Sequence, residues 1–203
     1  MIEALLILAA ERAMTAIDAE RAFAADAQKL GQWTAFRKHA AKDAIMFVPR
    51  AGSAHEFLKD KADPPVAVFW WPGRSYVSCD GKTAISTGPW VRQWGKSVGY
   101  FTTVWQRQAD GSWKWVLDHG DNLEVPRAEG GDIKAKQASC SRPTKPLLRI
   151  MTTTDGTAGS GRSNDGSIIW HWHVRSDGSR TVEAALWNGS DWETAVQDSV
   201  KAE

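Results

Sequence analysis

The residues best equipped for chemistry stand together in Trp113-Lys-Trp-Val-Leu-Asp118-His119-Gly120-Asp121. Side chains alternate between the two faces of a regular strand, which places Trp113, Trp115, Leu117 and His119 on one face. If that face lines a cavity, His119 ends an apolar wall. Its imidazole, oriented by Asp121, is then the expected general base near neutral pH. The competing reading is a histidine hydrogen-bonded at a strand end for structural reasons. The same alternation puts Asp118 on the opposite face, so Asp118 and His119 are not expected to form an adjacent catalytic pair.

Tyr100 is the candidate donor to a carbonyl or oxyanion, and Arg74 the candidate clamp for a carboxylate. Both also have structural readings, because aromatics favour strands and Arg74 follows a Pro72-Gly73 turn signal. Trp70, Trp71, Trp105 and Trp115 are the candidate aromatic wall of a ligand site. The chain holds 12 tryptophans, and core packing is the expected use of most of them. His171 and His173 alternate with Trp170 and Trp172 and share a strand face. No third ligand stands at a diagnostic spacing, so no metal site is expected. Phosphate-cradling, dinucleotide-binding, zinc-protease and nucleophile-elbow motifs are absent from the sequence. No cofactor is therefore expected.

Charge narrows the partners. Lys and Arg number 25 against 24 Asp and Glu, a net charge of +1, which offers no one-signed field for nucleic acid or an anionic membrane. No stretch approaches the roughly 20 apolar residues that span a bilayer. The apolar start, Met1 to Ala10, carries Glu3 and is followed by Glu11-Arg12, so it reads as the opening of a helix in preference to a secretion signal. A cytoplasmic protein is the default, with a periplasmic or secreted one as the alternative. The two cysteines, Cys79 and Cys140, bear on that choice. Two free thiols are the simpler expectation, and a bridge between them would indicate an oxidising compartment.

The elements that must position these residues follow from periodicity and turn chemistry. Ala4 to Leu30 has helical spacing and stops at Gly31. Thr34 is the expected cap of a second helix through Ala41, and Asp43 to Val48 reads as a strand. Ser53 with Glu56 has capping-box spacing for a short third helix to Lys59. After Val66 the pattern changes to strands separated by Asp-Gly and Asn-Gly turns, with strands near Arg74–Cys79, Thr83–Trp90, Val98–Arg107 and Ser112–His119. A polar stretch, Pro126 to Asp132, reads as a boundary. Beyond it Leu147–Thr153, Ser167–Arg175, Arg180–Trp187 and Asp191–Gln197 read as a meander, with Thr157 to Ser163 as a mobile Gly/Ser loop. The expectation is an α+β fold with a domain over residues 1–125 and a β-rich extension over 126–203, packed on or extending the first sheet.

This order of elements, with Glu20-Arg-Ala-Phe23, Gly31, Phe36, Asp43-Ala44, Ser78-Cys-Asp-Gly81, Gly88-Pro-Trp90, Gly99-Tyr-Phe101, Trp105, Asp110-Gly-Ser-Trp113 and Asp118-His119, resembles the SnoaL-like family. That family lies in the nuclear transport factor 2-like superfamily, which includes ketosteroid isomerase. The resemblance covers residues 17 to 122 or so. It implies a cone-shaped antiparallel sheet with N-terminal helices. It also implies a small-molecule site that runs isomerase, lyase or cyclase chemistry by acid and base, or else a non-enzymatic binding or assembly module that forms a homodimer through the sheet's outer face. Enzymes of the superfamily use a Tyr/Asp pair, an Asp/His pair or an Asp-Arg-Asp set inside the cone. None of those sets maps residue by residue onto this chain.

Overall fold

A computed structural model describes residues 14–48, 50–125, 127, 132–145 and 155–202. The expected helical start at Ala4 and the expected strand Leu147 to Thr153 lie outside the described residues, and the helix expected to run unbroken to Leu30 is interrupted at Thr15, which is extended. Helix α1 (Ala16–Leu30) opens on a reciprocal cap in which the Thr15 hydroxyl accepts from Asp18 N–H and the Asp18 carboxylate accepts from Thr15 N–H. Ala16, Ala19, Glu20, Phe23 and Ala27 fall on its buried stripe. Gly31, at φ 107°, ends α1 and leads directly into α2 (Gln32–His39). Thr34 lies inside α2 and does not cap it. Its N–H and hydroxyl both donate to Asp63, which ties α2 to the loop beyond the third helix.

The chain then forms β1 (Ala40–Phe47), β2 (Ala51–Ser53) and α3 (Ala54–Leu58), where Ser53 caps α3 by accepting from Glu56 N–H. Five strands follow: β3 (Phe69–Trp70), β4 (Arg74–Val77), β5 (Thr83–Arg92), β6 (Ser97–Arg107) and β7 (Trp113–Leu123). Within the expected linker, β8 (Lys134–Gln137) adds to β4 in parallel. The first sheet runs β2-β1-β7-β6-β5-β4-β8, with β3 paired to β5. The helices pack on its concave face around Phe23, Trp70, Trp105, Trp113 and Trp115. This is the expected α+β arrangement, a curved sheet with N-terminal helices packed on one face.

The second sheet comprises β9 (Thr157–Arg162), β10 (Ile168–Val174), β11 (Arg180–Trp187) and β12 (Trp192–Val200), in the order β12-β11-β10-β9. Its Trp170, Trp172, Val182, Leu186 and Val196 pack against Ile85, Val104 and Leu117 on the convex face of the first sheet. The first sheet is thus covered on both sides, and its central strands read as nearly continuous buried runs.

The expected mobile loop at Thr157 to Ser163 is instead strand β9. Gly159 and Gly161 lie directly opposite Trp172 and Trp170, and a Cβ on either glycine would enter the facing indole ring. These glycines make room for tryptophan, which is a packing use and not a source of flexibility. The cysteines are also joined. Cys79 and Cys140 form a disulfide with Cα atoms 5.0 Å apart, against the simpler expectation of two thiols. The bridge closes next to the contact between the Asp80 turn and the second sheet, where Cys79 N–H donates to Ser167 and Asp80 N–H to Asp165.

Candidate functional site

Strand β7 is irregular at one position, and that position decides which residues meet. Val104 pairs with Leu117, but Trp105 pairs with Trp115, so Val116 is an extra residue in β7. A bulge of this kind exchanges the faces of the residues on either side of it. Trp113 and Trp115 therefore join the concave core, whereas Leu117 belongs to the convex one. Asp118, paired with Thr103, returns to the concave face, and His119, paired with Thr102, is on the convex face. The expectation that Trp113, Trp115, Leu117 and His119 share one wall is corrected by this single residue.

A cavity of about 620 Å³ opens beside this segment. Its concave part is walled by Phe23, Trp33, Phe36, Phe57, Trp70 and Phe101, with Asp118 among them. The Asp118 carboxylate accepts from the Thr103 hydroxyl at 2.9 Å, and burial pushes its pKa up to about 7. Behind the wall, Glu20 is fully buried and accepts from the indole N–H groups of Trp70, at 2.8 Å, and Trp105, at 2.6 Å. Burial, aided by the Asp118 charge and opposed by the two indole bonds, raises Glu20 to about 8. Two carboxyl groups that titrate near neutrality thus serve one aromatic compartment.

The cavity also turns round the edge of β7. The pairing of β1 with β7 ends at Met46 opposite Asp118, and residues 118 to 122 of β7 line the cavity. On the convex side it meets Tyr100, His119 and Arg180. His119 is buried between Arg180, whose Nε lies 3.3 Å from Nδ1, and the Tyr100 hydroxyl, 3.2 Å from Nε2. Because Arg180 can only donate, Nδ1 must accept, and the proton of the neutral ring sits on Nε2. Burial and the neighbouring Arg180 and Arg127 charges lower its pKa to about 3. The carboxylate beside His119 is Asp198, at 3.9 Å, which accepts from Thr102 and from Arg127. Burial raises the Tyr100 phenol, with Asp198 and Asp121 adding to the effect.

Of the residues singled out by sequence, Trp70, Tyr100, His119 and Asp121 line this cavity. Trp105 and Trp115 are fully buried beneath it, Trp71 stacks against Phe69, and Arg74 is exposed on β4 between β5 and β8. His171 lies 3.1 Å from Glu183, and His173 bonds to the Asp155 carbonyl. No group of three metal-ligating side chains comes together among the described residues. Glu20 and Arg180 were not singled out, and Asp118 was set aside as lying on the face opposite the apolar wall. Glu20 carried a legible signal, since it sits on the Ala16, Phe23 and Ala27 stripe of α1 where an unpaired acid does not belong. Asp118 was hidden by the bulge, and Arg180 by its position after a surface turn.

No protein-family model matches this chain, and no curated protein does. Among solved structures it is similar to one from Shewanella frigidimarina described as a "putative ketosteroid isomerase", at 21% identity over 53% of this chain and 95% of that one, with a TM-score of 0.39. It is also similar to a nuclear transport factor 2-like protein of unknown function from Shewanella oneidensis, at 16% identity over 50% and 93% of the two chains, TM-score 0.41. A third, the S. rosetta CaMKII hub, is 22% identical over 52% and 92%, TM-score 0.37.

Proposed function

We propose that the cavity binds a small, largely apolar or aromatic molecule and that Asp118 transfers a proton on it, in a cofactor-independent isomerase, lyase or cyclase reaction. The observation that carries this reading is the Asp118 carboxyl group set among aromatic walls, where burial pushes its pKa up to about 7. At neutral pH such a group is populated both as base and as acid. As carboxylate it takes a proton from carbon next to a carbonyl. As carboxylic acid it returns that proton to another carbon, giving isomerisation, or to a leaving oxygen, giving elimination. His119 fits this role poorly, because its Nδ1 lone pair is occupied by Arg180 and its pKa lies far below neutrality. Glu20, held by Trp70 and Trp105, supports the wall and does not reach the ligand.

The test is deuterium incorporation from D2O into carbon of a panel of aryl ketones and cyclic enones, followed by proton NMR. Protein-dependent exchange is expected for at least one member, with a loss of 100-fold or more in Asp118→Asn while quenching of tryptophan fluorescence by the same compound persists. Exchange unchanged by that substitution would reject Asp118 as the acid/base group. The alternative reading, a non-enzymatic binding or assembly module, has one observation behind it: Trp94 is 96% exposed at the β5–β6 turn. Under that reading the full chain self-associates in light scattering and Trp94→Ala abolishes the association. Pairing through the convex face is not expected, because the second sheet occupies it.

A further inference from the structure

We propose that the C-terminal sheet completes the cavity with an anion-binding end, built on Arg180, that takes the carboxylate of an otherwise apolar ligand. The inference rests on the ligand-binding reading above and adds the chemical class of the ligand.

Arg180 opens β11 and is only 8% exposed, yet it lines the cavity. Its hydrogen bonds go to uncharged acceptors, Nδ1 of His119 and, at 2.9 Å, the Gly120 carbonyl. Among the described residues it forms no ion pair. The buried carboxylate of Asp198 is taken by Arg127 at 2.7 Å. A guanidinium removed from water with only neutral hydrogen-bond partners keeps the capacity to bind an anion, and the cavity beside it is where a carboxylate would offset its desolvation. The planar fork suits a carboxylate in particular.

A second donor points the same way. With its proton on Nε2, His119 donates to the Tyr100 oxygen, which leaves the phenol proton free to donate elsewhere. Tyr100 lines the cavity too, so its O–H and the Arg180 guanidinium offer donors from the two sides of the His119 ring. Asp121 also lines this end and stands opposite Tyr100 in the ladder, but it makes no ion pair with Arg180 that a ligand would have to break. Arg92, over the Trp90 ring, and Lys61, over Phe57, also line the cavity and add positive charge to its wall. Asp118 is on the other face of β7, so the ligand's apolar body occupies the aromatic part and its carboxylate reaches round the strand edge.

Isothermal titration of the full chain with matched probes tests this: 2-naphthoate against 2-naphthamide, and decanoate against decanol. Each carboxylate is expected to bind at least tenfold more tightly than its neutral partner. Arg180→Gln is expected to erase that preference without weakening the neutral probe, Arg180→Lys to retain part of it, and Tyr100→Phe to reduce it. The wild-type comparison decides the matter even if a variant fails to fold. Equal affinity for the charged and neutral members would overturn the anionic end while leaving the cavity reading intact. Failure of all four probes to bind would overturn both.

Discussion

Arg180 Nε stands 3.3 Å from His119 Nδ1, so a residue of the second sheet fixes the tautomer of a histidine in the first. The ring is therefore expected as the neutral Nε2–H form, with a pKa of about 3. Nitrogen-15 NMR of labelled histidine tests this directly. One ring that stays neutral down to pH 5 and is lost in His119→Gln is the expected result, whereas titration near 6.5 would mean that the Arg180 contact does not form in solution.

Glu20 makes the opposite contribution to stability against pH. Its folded pKa of about 8 lies above the unfolded value of 4.5, so between those values the folded state binds more protons and stability falls as pH rises. Asp118 acts in the same sense over its own range up to about 7. His119 is lowered from 6.5 to about 3, so stability falls as pH drops through that interval. Above pH 6.5 only the carboxyl groups act. Urea unfolding is expected to show stability declining from pH 6.5 to 8, and Glu20→Gln to flatten that decline. The same substitution removes one of two acceptors for buried indole N–H groups, at a cost of about 1–3 kcal/mol near pH 6. A rise in stability from pH 6.5 to 8 would contradict the assignment.

Gly161 and Gly159 face Trp170 and Trp172 across a strand pair with no room for a Cβ. Gly161→Val is expected to destabilise the chain by about 1–3 kcal/mol despite valine's preference for strands, because the indole must leave its place over the backbone. Chemical denaturation that found the valine variant as stable as the parent would show that β9 is not packed in this way.

The disulfide between Cys79 and Cys140 spans a sequence separation of 61. A closed loop of that size is worth about 4 kcal/mol on the chain-entropy model. Reduction is expected to lower the thermal midpoint by several degrees, and thiol titration of the unfolded, unreduced protein to find no free thiol. Two titratable thiols in protein prepared under oxidising conditions would refute the bridge. A persistent bridge favours an oxidising compartment over the cytosol.

Much of the fold was legible because local rules agreed with one another. Gly31 ends α1, Ser53 caps α3, and the Asp-Gly turns divide the strands where period-two patterns stop. Misreadings arose where a non-local partner overrode a local rule. Thr34 looks like a helix cap until Asp63, 29 residues later, takes its donors. Gly159 and Gly161 look flexible until tryptophans fill the space above them. At the site, one inserted residue, Val116, reversed the facing of everything beyond it. Hence Asp118 faces the aromatic compartment, and His119, the more conspicuous residue, does not. Arg180 could not be placed from sequence, because its relation to His119 exists only through the packing of one sheet on another.

The central claim is that Asp118 is poised for proton transfer inside the aromatic cavity, and carbon-13 NMR of aspartate labelled at Cγ measures this most directly. The resonance of Asp118, identified by its disappearance in Asp118→Asn, is predicted to titrate with a midpoint near 7 in the free protein. The midpoint is predicted to shift when an apolar ligand fills the cavity and excludes water. A midpoint near the ordinary carboxylate value of about 4, unmoved by ligand, would contradict the account.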